Sequence, residues 1–181
     1  SDIYAMNGTP KQITVSLALS RKFCIEDVEE LYAGIRLACQ TYGVDIVGGD
    51  TTSSLTGLAI SITAIGTAPK GTVVKRNGAK ETDLICVTGN LGAAYMGFQV
   101  LEREKKIFEK SGDIKAQPKL DDYKNLVGAY LKPSINPQTI NLMEEAEIVP
   151  SFGYLVTRGL ADAVKRLVRD SGLGAKIYVD K

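Results

Sequence analysis

The chain has 181 residues, 44% of them hydrophobic, with 22 basic against 21 acidic side chains and no histidine. That near-cancellation of charge leaves no electrostatic footprint for nucleic acid or an anionic membrane. The missing imidazole excludes Ser-His-Asp hydrolysis, Cys-His proteolysis, HExxH zinc sites and any histidine general base. No apolar run reaches the roughly 18 residues that span a bilayer, and no signal-peptide pattern opens the chain. Cys24, Cys39 and Cys86 lie far apart and form no CxxC, which reads as reduced, mostly buried thiols of a cytoplasmic protein. The first residues, SDIYAMNG, and the last, KIYVDK, read as interior stretches of a longer protein.

In chain order, Asp2 to Gly8 opens a helix that stops at Asn7-Gly8, with Thr9-Pro10 fixing the exit. Ile13, Val15, Leu17 and Leu19 alternate with polar or small residues and predict a strand. Ile25, Val28, Leu31, Ile35, Ala38 and Tyr42 recur at helical spacing, with Gly43 as the cap. Val44 to Val47 is a short strand, and Leu58, Ile60, Ile62 and Ala64 form another that ends at Gly66. Residues 67–83 are polar and turn-rich and mark a domain boundary. A strand follows at Leu84 to Val87, then a long helix with Tyr95, Phe98, Leu101, Lys105 and Phe108 on one face. Residues 109–124 read as a loop, followed by helices near Leu120 to Leu131 and Pro137 to Ala146. The chain closes with a strand at Tyr154 to Val156, a helix at Leu160 to Val168 and a strand at Ala175 to Val179. Mixed strands and helices without repeats give an α/β or α+β class.

Five places could carry chemistry. In VDIVGGDTTSS, Gly48 and Gly49 let backbone N–H groups approach a phosphate, and Asp50 offers the hard oxygen that magnesium prefers. Ligand sites in α/β folds favour the carboxyl ends of strands, although a glycine-rich turn capped by its own aspartate explains the same letters. Arg76, in VVKRNGAK, is either a bidentate phosphate grip or a solvated charge beside an Asn-Gly turn. TGNLGAAYMG resembles a phosphate loop but lacks the Lys-Ser/Thr of a P-loop and the full GxGxxG, so Gly89 and Gly92 fit close strand-to-helix packing better. Asp2 stands where a helix cap stands. Tyr32 lies on the apolar stripe of its helix, where packing and adenine stacking compete.

In this order, SDIYAMNGTP, VGGDTTSS and KRNGAKETDLICVTGNLGAAYMG resemble thiamine-monophosphate kinase, of the aminoimidazole ribonucleotide synthetase-like superfamily. The resemblance implies ATP- and magnesium-dependent phosphorylation of thiamine monophosphate to thiamine diphosphate, with several magnesium ions and ATP as co-substrate. It implies a homodimer sharing a barrel built from N-terminal α/β domains. Residues 1–70 would be part of that nucleotide- and metal-binding domain; residues 71–181 would be a linker and the first part of an α/β C-terminal domain. Asp2 and Asp50 match metal ligands, with Asp50 also catalytic. Gly49 and Asp50 match a nucleotide-binding pair beside Gly48, Arg76 matches an ATP contact, and Tyr32 corresponds to a residue near the adenine.

The stretch YLVTRGLA, residues 154–161, departs from the family's IDISDGLA. Thr157 keeps a hydroxyl where the family has serine, but Leu155 and Arg158 replace two metal-binding aspartates. That exchange moves the local formal charge by about +3. It leaves room for two rivals: another ATP-dependent member of the superfamily, or a nucleotide-binding or dimerisation protein whose metal site has decayed.

Overall fold

The computed structural model describes residues 1–111, Pro118 and residues 120–178. Ser1–Lys75 with Val149–Tyr154 forms one compact unit, and Arg76–Ile148 with Leu155–Lys181 forms a second.

The first unit is a three-stranded open sheet with strand order β2-β1-β3. A four-residue helix, α1 (Asp2–Ala5), leads into β1 (Thr9–Leu19). The turn between them is pinned: Asn7 adopts a left-handed conformation, and its side-chain amide donates to the Thr72 carbonyl at 3.2 Å. The Val74 N–H donates to the Met6 carbonyl at 3.0 Å. Pro10 sits inside β1, at a register irregularity against β3, where a missing N–H costs no ladder bond.

The helix α2 (Ile25–Tyr42) follows the predicted periodicity and ends at Gly43 in the left-handed region, φ 62° and ψ 44°. Its start is held by Asp27, whose carboxylate accepts from the Cys24 N–H at 2.9 Å. Strand β2 (Asp45–Ser53) runs parallel to β1, and β3 (Leu58–Thr67) runs antiparallel to it. The expected short strand at Val44 to Val47 is therefore longer than read, and GGDTT lies inside the ladder rather than beyond its end.

The core of this unit lies under the central strand, where Val15 and Leu17 are fully buried; Val74 is buried as well. Each such side chain contributes roughly 1.5–3 kcal/mol on burial. The residues lining a cavity between helix and sheet, Ile13 and Ile62 with Ile35, Ala38 and Tyr42, show α2 lying over the same face as Val15.

The second unit is helical among its described residues: α3 (Ala93–Ser111), α4 (Lys124–Leu131), α5 (Gln138–Glu145) and α6 (Leu160–Ser171). Helices α3 and α4 touch backbone to backbone. A Cβ on Gly97 would collide with the Leu126 carbonyl, and Phe98 meets Tyr130 with ring centroids 5.4 Å apart. Arg103 lies over the Tyr123 ring at 4.9 Å. The strands expected at Leu84–Val87, Tyr154–Val156 and Ala175 onward do not form among the described residues, and Val179 lies outside them. Their apolar runs find no ladder partner, and an unpaired strand is not stable in water. Most of the expected loop between Ser111 and Leu120 also lies outside the described residues.

Candidate nucleotide and phosphate site

The site residues of the first unit are arranged by strand register. Up to Ile13, β1 pairs with β2 residue for residue, Ile13 opposite Ile46. The register then shifts, so Thr14 faces Gly48, Val15 faces Gly49 and Ser16 faces Asp50. Val47 is thus an extra residue, a β-bulge. Because side chains alternate across a strand, one extra residue turns everything after it to the other face.

One face carries Ile13, Val15 and Leu17 with Ile60 and Ile62 of β3 and lies under α2. The other carries Thr14, Ser16 and Ala18 of β1, Gly48, Asp50 and Thr52 of β2, and Ala59, Ser61 and Thr63 of β3. Without the bulge, Asp50 would fall on the apolar face. With it, the carboxylate opens onto a face of hydroxyls, exposed, with Oδ1 accepting from the Thr51 N–H at 2.9 Å.

The two glycines do different work. A Cβ on Gly49 would run into the Val15 carbonyl, so that glycine is required by the close approach of β1 and β2. A Cβ on Gly48 would meet nothing within 4 Å. Of the two, only Gly48 has open space where a side chain would stand.

The remaining expected residues do not converge on Asp50 within this unit. Asp2 begins α1, whose Ile3 packs against Gly8 and Gly66 near the Thr9 end of β1. Ser16, opposite Asp50, lies seven residues further along, about 23 Å at 3.3 Å per residue. Tyr32 is half-buried on α2, the helix over the apolar face.

Arg76 and Thr157 belong to the second unit. Arg76 contributes there to a cationic environment around Asp170, whose carboxyl is held below its ordinary range first by the Arg169 side chain, then by Arg166 and Arg76. Arg169 Nε donates to Asp170 at 2.6 Å and Arg166 Nε to Asp162 at 2.8 Å. Thr157 and Arg158 are exposed just before Gly159, which begins α6 with φ 87° and no side-chain cap. Leu155 is half-buried.

The donor set decides what magnesium chemistry fits. Among the described residues no three histidine, cysteine, aspartate or glutamate side chains cluster around a common point. Magnesium is usually held by one or two carboxylates plus substrate phosphates and water. Asp50 on its hydroxyl-lined face fits an ion that arrives with a nucleotide, whereas several resident ions would need carboxylates that the described residues do not gather.

Residues 1–68 match the family described as AIR synthase related protein, N-terminal domain. The thiamine-monophosphate kinase of Bacillus subtilis strain 168 is 38% identical over 104 residues, 58% of this chain and 32% of that protein. The enzyme of the same name from Synechococcus elongatus is 28% identical over 98% of this chain and 52% of its own length. A solved structure, AaThiL complexed with AMPPCP and TMP, superposes with a TM-score of 0.77 at 27% identity, covering 94% of this chain and 50% of that one.

Along its length the chain is similar to thiamine-monophosphate kinases, and its first 68 residues match the AIR synthase related N-terminal domain. It spans between a third and a half of the length of these relatives. It has the expected mixed α/β composition, and its sheet is open, with three strands and no closure into a barrel among the described residues. No described helix is long and apolar enough to cross a membrane.

The sequence reading missed the hydroxyl face. The alternation in ITVSLAL does place Thr14 and Ser16 opposite Val15 and Leu17, but nothing in the letters reveals the bulge that brings Asp50 to their side.

Proposed function

We propose that this chain is part of a cytoplasmic enzyme that transfers the γ-phosphoryl group of ATP to thiamine monophosphate, giving thiamine diphosphate. The observation that carries the reading is likeness along nearly the whole chain to a protein complexed with AMPPCP and TMP. Supporting it, the family's GGD stretch forms a strand whose single carboxylate and one open glycine face outward together.

The acceptor is a phosphate monoester with a second pKa of about 6, so it is already an anionic nucleophile near neutral pH and needs no general base. That agrees with a chain that has no histidine. The task is to bring two polyanions together, and magnesium bound with the nucleotide supplies charge neutralisation. Asp50 holds that ion, the Gly48 N–H lies against a phosphate, and Arg76 steadies the nucleotide with Thr157 as a hydroxyl donor. Tyr32 lies near the adenine. Residues 1–70 serve as part of the nucleotide- and metal-binding domain, and residues 71–181 begin the C-terminal one. Asp2 serves a metal at the other end of β1, which fits a homodimer in which a second copy completes a barrel and brings its own residues to the site.

The test is an assay of the full-length protein, carrying YLVTRG as it stands, with Mg-ATP and thiamine monophosphate. Thiamine diphosphate should form, and Asp50→Asn should abolish most of it while leaving the circular dichroism spectrum unchanged. A folded protein that binds ATP and yields no product would sink the kinase reading. It would favour a nucleotide-binding role with a decayed metal site, to which Leu155 and Arg158 already point.

A further inference from the structure

Across the sheet, Asp50 on β2, Ser16 on β1 and Ser61 on β3 form one row of directly opposed residues. All three are exposed on the hydroxyl-lined face. Neighbouring strands lie about 4.8 Å apart, so the row runs for about 10 Å from carboxylate to outer hydroxyl.

We infer that Ser16 is a further contact of the nucleotide site: its hydroxyl donates to the phosphate chain whose magnesium Asp50 holds, and Ser61 extends the same row. The inference rests on the proposed nucleotide site and adds residues to it. Three observations support it. The bulge at Val47 is what places Asp50 beside Ser16 rather than beside Val15 and Leu17, and bulges of this kind re-aim side chains next to functional sites. Gly48 lies on the same face two residues along β2, about 6.6 Å away, with open space where a side chain would stand, so an extended phosphate chain has room beside the row. The hydroxyls of this face are not consumed by packing: Ser16 and Ser61 are exposed.

A serine that touches only solvent contributes nothing to binding, whereas one that donates to a phosphate oxygen makes a charge-assisted bond. The experiment is calorimetric titration of the full chain with Mg-AMPPCP, with the thermal midpoint read in parallel. Ser16→Ala should raise Kd about tenfold or more with the midpoint of the free protein within about 2 °C of wild type, because an exposed strand serine carries little stability. Ser16→Thr, which keeps the hydroxyl and has high strand propensity, should restore affinity. Ser61→Ala should give a smaller loss. Wild-type affinity in Ser16→Ala would overturn the inference while leaving the nucleotide site in place. A folded wild-type chain that binds no Mg-AMPPCP would overturn the site reading itself, and this inference with it.

Discussion

Replacing Gly49 by alanine tests the closest contact in the sheet. The added Cβ would lie within the space of the Val15 carbonyl, a backbone atom that cannot swing aside as a side chain would. Relief requires β1 and β2 to separate, and overpacking of this kind costs about 1–3 kcal/mol. Stretching one or two ladder bonds around Val15 adds about 1 kcal/mol each, for a total of about 2–5 kcal/mol. A unit of about 80 residues commands only about 4–12 kcal/mol in all, so the loss is a large share of it. At about 4–8 °C per kcal/mol for a domain of this size, the thermal midpoint should fall by more than about 8 °C. Gly48→Ala provides the control, since its Cβ meets open space; its midpoint should move by only a few degrees. Differential scanning calorimetry of both variants decides the matter. A Gly49→Ala midpoint within about 3 °C of wild type, or equal losses in the two variants, would refute the division of labour between the glycines.

Leu17 is 2% exposed at the centre of the sheet, and Leu17→Ala should cost about 2–5 kcal/mol in urea unfolding. Asp170 is held below its ordinary range by Arg169, so its contribution is fully present above pH about 4 and fades as pH falls through the depressed folded value. Asp170→Asn should flatten that part of the midpoint-versus-pH curve and leave its neutral-pH slope alone. Cys24 is exposed, yet its thiol is raised from the ordinary value first by hydrogen bonding with Glu26 and further by its bond to Asp27. Alkylation at pH 8 should therefore be slow for an exposed thiol and should quicken in the Glu26→Gln, Asp27→Asn double variant, as followed by mass spectrometry.

What the letters disclosed followed from local rules. The α2 periodicity and its glycine cap, the alternation of β1 and the helices from Ala93 onward each depend on residues near one another in sequence. GGDTT misled because two glycines, an aspartate and hydroxyls read as a turn. The glycine at 49 answers a neighbouring strand 34 residues away, and no local rule contains that neighbour. The strands expected at Leu84–Val87 and Tyr154–Val156 failed for a related reason: apolar runs become strands only when a partner offers a ladder. The faces of the sheet were half legible. Alternation fixed which β1 residues share a side, but the bulge that assigns Asp50 to the hydroxyl side is a property of the pairing.

The connection between the outer strands has a mechanical consequence. Residues 54–57 carry the chain from β2 to β3 across the end of β1, where the Ser54 N–H donates to the Leu19 carbonyl at 2.8 Å and the Ser20 N–H to the Gly57 carbonyl at 3.0 Å. Both flanking strands are thereby clasped to each other around the central one at that end, with Leu55 fully exposed at the tip. At the opposite end α1 and its turn hold β1 and β3 together, while Asp45 of β2 lies outside that arrangement. Strand β2 should therefore peel from β1 starting at Asp45, and the amides beside the clasp, next to Ser16 and Asp50, exchange last. The residues placed at the phosphate site thus sit in the part of the ladder that local opening reaches latest.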